Sequence, residues 1–244
     1  KFKNKIIYIP IENEPSDLIY EKKDNGIFEQ AANRRINSVK RIAYQRNKLM
    51  EGLAEANDYD FVFYSDNDEI PNFLNFDFEK NKNKIVMFKQ KLFYYKFNLF
   101  CDLVDWFGTK GCIKKNLVSF EWLRQLKTKK YPFYRVDTFF SKTKYTNVKI
   151  IDDGGWHFTR ILSPEDIHSK ELNAEHHDEY RLSNKDVPRI KDLVKRKMIN
   201  YDFNAKSTDY KFSKEFKLKT LPLNDMPLYL QENAQKYSEW FDFE

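Results

Sequence analysis

Glycine is scarce in this chain, six in 244 residues, and none of the six builds a phosphate-cradling loop. A P-loop or a dinucleotide-binding glycine turn therefore has no sequence to rest on. Cysteine is scarcer still. Cys101 and Cys112 are able to pair but nothing requires it, which makes a reducing compartment the default. No apolar run approaches the roughly 20 residues of a membrane-spanning helix, and no secretory pattern opens the chain. A serine-hydrolase nucleophile elbow is missing as well. What remains is too apolar for disorder: 41% hydrophobic and 17% aromatic residues stand against 33% charged ones. The net charge is +6 with a pI near 9.0, but Lys and Arg are interleaved with nearly as many acids. That balance suits an anionic substrate and argues against nucleic acid. The length fits one domain over 1–244, with a sheet core in 1–162 and a mostly helical part in 163–244.

The stretch with most chemical content is Tyr59 to Pro71. Phe61-Val62-Phe63-Tyr64 reads as a strand buried on both faces, and it runs into three acids, Asp66, Asp68 and Glu69, before Pro71. Carboxylates packed this closely repel one another and call for a cation or a cluster of N–H donors. An oxygen-rich site of this kind suits Mg²⁺ or Mn²⁺, held together with substrate phosphate. The plainer alternative is an acidic turn that caps a following helix.

Lys5 to Ile9 reads as a first strand. Ile27 to Ala56 reads as a long helix with a buried stripe at Ala32, Ile36, Val39, Ile42, Ala43, Leu49, Met50 and Leu53. Arg46 falls on that stripe, with Asn47 beside it; its partner is a core carboxylate or a ligand diphosphate. Lys84 to Phe100 is aromatic and reads as strand and core, with Trp106 able to offer a face to a sugar ring. Asp105 to Thr109 reads as a loop. Ser119 caps a helix through Leu126 with Glu121 in its first turn. Val148 to Ile151 and Trp156 to Thr159 read as strands around the turn Asp152 to Gly155. Ser163-Pro164-Glu165-Asp166 starts a helix, and two more come after it, around Pro188 to Met198 and Pro227 to Phe241. His157 is either a core histidine or a ligand that completes the acidic site. His176 and His177 lack the partners at ligand spacing that a zinc site needs.

Ser65-Asp66-Asn67-Asp68-Glu69-Ile70-Pro71 resembles the S-D-x-D-E-I-P signature of glycosyltransferase family seventeen, which holds the enzyme that adds the bisecting N-acetylglucosamine to N-glycans. Gly154-Gly155-Trp156-His157-Phe158-Thr159 is similar to that family's G-G-W-H-F-S string. Ser163 to Ile167 with Lys170 is similar to the family's next segment, and His177-Asp178-Glu179-Tyr180 to its H-x-E-Y element, one residue out of step. Gln45-Arg46-Asn47, Leu221-Pro222 and Pro227 to Phe241 fit further segments in the same order. The resemblance implies a GT-A fold, a Rossmann-like mixed sheet flanked by helices, with a C-terminal helical segment. It also implies strands ahead of Lys1, so the natural N-terminus is expected to be missing.

The implied reaction is metal-dependent, inverting transfer of N-acetylglucosamine from UDP-N-acetylglucosamine to a hydroxyl of a glycan acceptor. Asp66, Asp68 and His157 are the expected metal ligands, for Mn²⁺ ahead of Mg²⁺. Arg46, Asn47, Asp66, Glu69, Trp106, Trp156 and His177 are the expected substrate-binding residues. Glu121 is the first choice of base and Asp153 the second. Two readings of other classes stand beside this one: a two-metal phosphoryl-transfer enzyme, and a non-catalytic carbohydrate-binding protein. The Lys-, Asn- and Phe-rich composition suggests a microbial or viral protein of the cytoplasm.

Overall fold

The computed structural model of the chain describes residues 2–20, 26–74, 76–82, 84–174, 177–205 and 210–243. In chain order it contains α1 (Ile27–Lys48), β1 (Phe61–Tyr64), β2 (Glu69–Pro71), α2 (Phe78–Asn81), β3 (Ile85–Tyr94), β4 (Leu99–Ile113) and α3 (Phe120–Gln125). After these come β5 (Val148–Ile151), β6 (Gly155–Thr159), α4 (Pro164–Leu172), α5 (His177–Leu182), α6 (Val187–Lys195), β7 (Met198–Ile199), β8 (Phe216–Lys217), β9 (Lys219–Thr220) and α7 (Leu228–Glu232). The chain is a mixed α/β protein. Among the described residues no helix is long and apolar enough to cross a membrane.

Two compact units share the chain: Lys1–Tyr64 with Gly111–Asn147, and Ser65–Lys110 with Val148–Glu244. The division does not fall at 162/163, because the strands on either side of that point belong with the helices that come after them. Within the second unit the sheet runs β4-β3-β6-β2, with β5 also on β3 and β9 on β4. β3 is parallel to β5 and β6, whereas β2 is antiparallel to β6, so the sheet is mixed. Helices cover one face: Ile167 of α4 and Ile190 of α6 pack with Leu92, Tyr94, Leu99 and Cys101 of β3 and β4. On the other side Phe93 and Phe158 pack with Met226, Leu230 of α7 and Phe241. Full burial of rings such as Phe93 and Phe88 contributes about 1.5–3 kcal/mol each.

Several local expectations are met at their caps. Ser119 Oγ accepts from the Trp122 N–H to start α3, and Ser163 Oγ accepts from the Asp166 N–H to start α4, with Pro164 in the first turn. Others are corrected. Asp105 to Thr109 is not a loop but the middle of β4, which continues unbroken to Ile113. Pro71 does not close off β1; it is the last residue of β2, which starts at Glu69, and Asp66 to Asp68 lie in the turn between the two strands.

In the first unit, Lys5 to Ile9 joins no ladder among the described residues, and Ile6, Ile7 and Tyr8 are exposed. The stripe assigned to α1 is exposed too at Ile36, Val39 and Leu49. Ile42 and Ala43 of that stripe are half-buried, and α1 also meets the chain through polar groups. Asn37 exchanges two hydrogen bonds with Ile19, and Lys40 and Arg41 pair with Asp17 and Glu14. Hydrophobic periodicity located the helix here and part of the side it buries.

Candidate functional site

The turn at the acidic stretch closes on itself. The Asp66 N–H donates to Glu69 Oε2 and the Glu69 N–H to the Asp66 carbonyl, both at 3.0 Å. Glu69 Oε1 accepts from Trp106 Nε1 at 3.0 Å, and the whole carboxylate is buried. Room for it comes from Gly108 in β4, where a Cβ would lie 2.5 Å from Glu69 Cδ and 2.0 Å from Gln90 Oε1. Glu69, expected to bind substrate, is instead spent on fixing the turn and the Trp106 ring. A buried carboxylate must be hydrogen-bonded, and this one is.

The turn delivers Asp68 to β6. β2 and β6 pair with Glu69 opposite His157, and the Phe158 N–H donates to the Asp68 carbonyl at 2.8 Å. Gly155 makes the approach possible: its φ is +121°, and a Cβ there would lie 2.0 Å from the Ile70 carbonyl oxygen. Asp68 Oδ1 then stands 3.4 Å from His157 Nε2. Burial pushes the Asp68 carboxyl up, but His157 and the charge of Lys170 outweigh it and hold it below the usual range. The His157 ring is buried, stacks on Trp106 with centroids 4.4 Å apart, and leaves Nδ1 buried without a hydrogen-bond partner among the described residues.

A gap of 3.4 Å is long for a charged hydrogen bond. It matches two cis ligands sharing one ion at about 2.1 Å each, which stand roughly 3.0–3.4 Å apart. One carboxylate oxygen and one imidazole nitrogen form a donor set that Mn²⁺ accepts more readily than Mg²⁺. Among the described residues no three of Asp, Glu, His and Cys converge. Asn67 and Asp68 form a turn, so strand alternation does not set where the Asp66 side chain stands relative to Asp68. Substrate phosphate and water would complete the shell of any ion held here.

The remaining expected residues make contacts of their own. In the first unit Arg46 Nη1 donates to Glu121 Oε2 at 2.9 Å, and its Nε donates to the Tyr64 hydroxyl at 3.1 Å. Burial opposes the Arg46 charge, but Glu121 and Tyr64 more than offset it. Glu121 also accepts from Gln125 at 2.9 Å, and its N–H donates to Asn47 Oδ1. Of the two partners open to Arg46, the carboxylate is the one observed. In the second unit Asp153 is exposed, in a left-handed turn with φ 48°, two residues ahead of β6. Trp156 points to the face opposite His157 and donates to the Asp225 carbonyl at 2.6 Å. His177 Nδ1 contacts the Ala174 carbonyl at 3.1 Å; His176 lies outside the described residues.

His157 and Trp106 line one wall of a cavity of about 480 Å³ within the second unit, together with Leu92, Tyr94 and Thr159. The helical side contributes groups that sequence reasoning did not single out. Arg160 Nε donates to Glu171 Oε1 at 2.5 Å, with its guanidinium 5.1 Å from the Tyr94 ring centre. Glu179 is held by Lys211 at 3.0 Å, and the Tyr180 hydroxyl meets His168 Nδ1 at 2.8 Å. Lys185 Nζ donates to the Asn200 carbonyl at 2.8 Å and lies 4.3 Å from the Phe212 ring centre. Burial, helped by the charge of Arg160, pushes the Lys185 pKa down to about 8. Arg160 comes directly after the G-G-W-H-F-T string, and Glu179-Tyr180 close the H-D-E-Y string, so proximity to motifs was an available signal; for Lys185 there was none. Compared with known proteins, the chain matches no family model, no curated protein and no solved structure.

Proposed function

We propose that this chain is a metal-dependent inverting glycosyltransferase of the GT-A type. It transfers N-acetylglucosamine from UDP-N-acetylglucosamine to a hydroxyl of a glycan acceptor. The observation that carries the reading is the pairing of two stretches distant in sequence. The D-N-D-E-I-P turn and the G-G-W-H strand are neighbours in one sheet, with Asp68 and His157 3.4 Å apart at their junction.

Asp68 and His157 would hold the cation. When bound, it would neutralise the negative charge that builds on a departing nucleoside diphosphate. The rest of the arrangement positions groups. Glu69 fixes Trp106, and Trp106 fixes the His157 ring by stacking, so the imidazole is held without freedom to turn away. The adjoining cavity is of a size that takes small ligands, and its aromatic and aliphatic walls suit the apolar face of a sugar ring. The acceptor hydroxyl needs a base. Glu121, the first choice by sequence, is bonded to Arg46 and fits a structural role better. Asp153, the second choice, makes no side-chain ion pair among the described residues.

The test is incubation with UDP-N-acetylglucosamine and Mn²⁺, following UDP release with and without candidate glycans. Release above the blank that disappears in Asp68→Asn and His157→Ala supports the reading. A folded protein that releases no UDP from any of a panel of UDP-sugars overturns it.

A further inference from the structure

Between Arg124 and Lys144 the chain carries seven basic residues and one acid, a net +6 equal to the formal charge of the whole molecule. The basic excess is therefore concentrated rather than evenly interleaved. The same stretch exposes five large apolar side chains within eight positions. Phe133 is 84% exposed, Tyr134 69%, Val136 66%, Phe139 78% and Phe140 87%. Single exposed apolar residues are ordinary on protein surfaces, but a group of this density marks an interaction site.

The loop is built, and built inside out. Its ends are joined by the Lys127 N–H donating to the Thr143 carbonyl at 2.9 Å, and Trp122 Nε1 donates to the Lys142 carbonyl at 3.0 Å. Its only acid, Asp137, is claimed by Arg135 at 2.6 Å and Lys144 at 2.9 Å. Thr138 is buried and donates from Oγ1 to the Arg135 carbonyl. Polar groups thus satisfy one another within the loop while the rings face outward. Lys127, Lys129, Lys130 and Lys142 are exposed and have no carboxylate partner among the described residues.

We propose that the 127–143 loop docks the protein onto an anionic lipid surface. The side chains of Phe133, Val136, Phe139 and Phe140 enter the headgroup–acyl boundary, Tyr134 sits at headgroup level, and the four lysines neutralise lipid charge. Charge complementarity selects an anionic partner, and the exposed phenylalanines select one with a hydrocarbon interior. A nucleic acid strand would use the rings for stacking but has no use for Val136. The proposal does not depend on the glycosyltransferase reading.

The full chain is sedimented with phosphatidylcholine vesicles and with vesicles containing about 30% phosphatidylserine. Partition onto the anionic vesicles only, weakening with salt, is expected. Phe139→Ser/Phe140→Ser should lower that partition by about tenfold or more, and Lys→Gln at the four lysines by about a hundredfold or more. All these positions are exposed, so melting temperatures should match the parent. Tyr134→Trp should shift its emission to the blue on anionic vesicles. The proposal is overturned by failure to bind anionic vesicles at low salt, or by equal binding to neutral ones. It is equally overturned by full binding in the double serine variant, or by a single-stranded oligonucleotide that binds through the lysines and displaces the vesicles.

Discussion

Arg46 and Glu121 form an ion pair at 2.9 Å with side chains only 17% and 19% exposed, and the Tyr64 hydroxyl and Gln125 complete the network. Removing one charge from such a pair strands the other. Glu121→Gln is therefore expected to destabilise the protein by about 2–4 kcal/mol, while turnover changes by less than about tenfold. Melting curves and UDP release measured on the same preparation decide it. A loss of roughly two to four orders of magnitude in turnover with unchanged melting would instead give Glu121 the role of base.

Asp68 and His157 should behave as one unit toward a divalent ion. Mn²⁺-dependent donor binding is measured in Asp68→Asn, His157→Ala and the double variant. Each single change should remove most of the Mn²⁺ dependence, and the double change should add little, a non-additivity expected for two ligands of one ion. Full Mn²⁺ dependence in His157→Ala would leave that ring a core residue stacked on Trp106.

Gly108→Ala places a methyl group where Glu69 and Gln90 already sit. Overpacking of this kind costs about 1–3 kcal/mol. The displaced Glu69 should also release Trp106, so the variant is expected to lose Mn²⁺-dependent donor binding beyond its loss of stability. Binding equal to the parent's at a temperature where both are folded would separate Glu69 from the site.

Lys185 carries its charge at a cost to the fold. Its pKa falls from 10.5 to about 8, so between these values the unfolded chain holds a proton that the folded chain has lost. Stability should therefore rise with pH across that window, and the charge should be fully destabilising below it. The groups that act on it are Arg160, Glu171, Arg189 and Glu215. Lys185→Met should be more stable than the parent at pH 7 by on the order of 1–3 kcal/mol, with the difference closing toward about pH 10. A constant difference across the range would remove the charge as the cause.

Much of this was legible in the sequence where a local rule decides the outcome. Ser119 and Ser163 cap helices because their hydroxyls satisfy free N–H groups, whatever the chain does elsewhere. The meeting of Asp68 with His157 was readable because one glycine pair and one acidic turn left few other places for either side chain. Less legible was anything decided by what packs on top. The apolar positions of α1 have the spacing of a buried stripe, yet Ile36 and Val39 stay exposed while Asn37 and Lys40 are half-buried through specific polar bonds that periodicity does not weigh. Gly108 looked like loop punctuation and is a cavity for Glu69 inside a continuous strand. Arg160 and Lys185 meet Glu171 and the Asn200 carbonyl across one cavity, and only the folded chain brings these partners near.

The pairing of β2 with β6 fixes more than a distance. Side chains alternate along β6, so His157 and Thr159 line the cavity while Trp156 and Phe158 enter the opposite core. A slip of one position against β2 would present Trp156 to Asp68 and drive His157 into that core; a slip of two would restore the alternation. The turn from Asp152 to Gly155 thus works like the pawl of a ratchet with a step of two. Length changes there should be inherited in even numbers or not at all, and the chemistry at Asp68 can drift only as fast as the packing behind Trp156 allows.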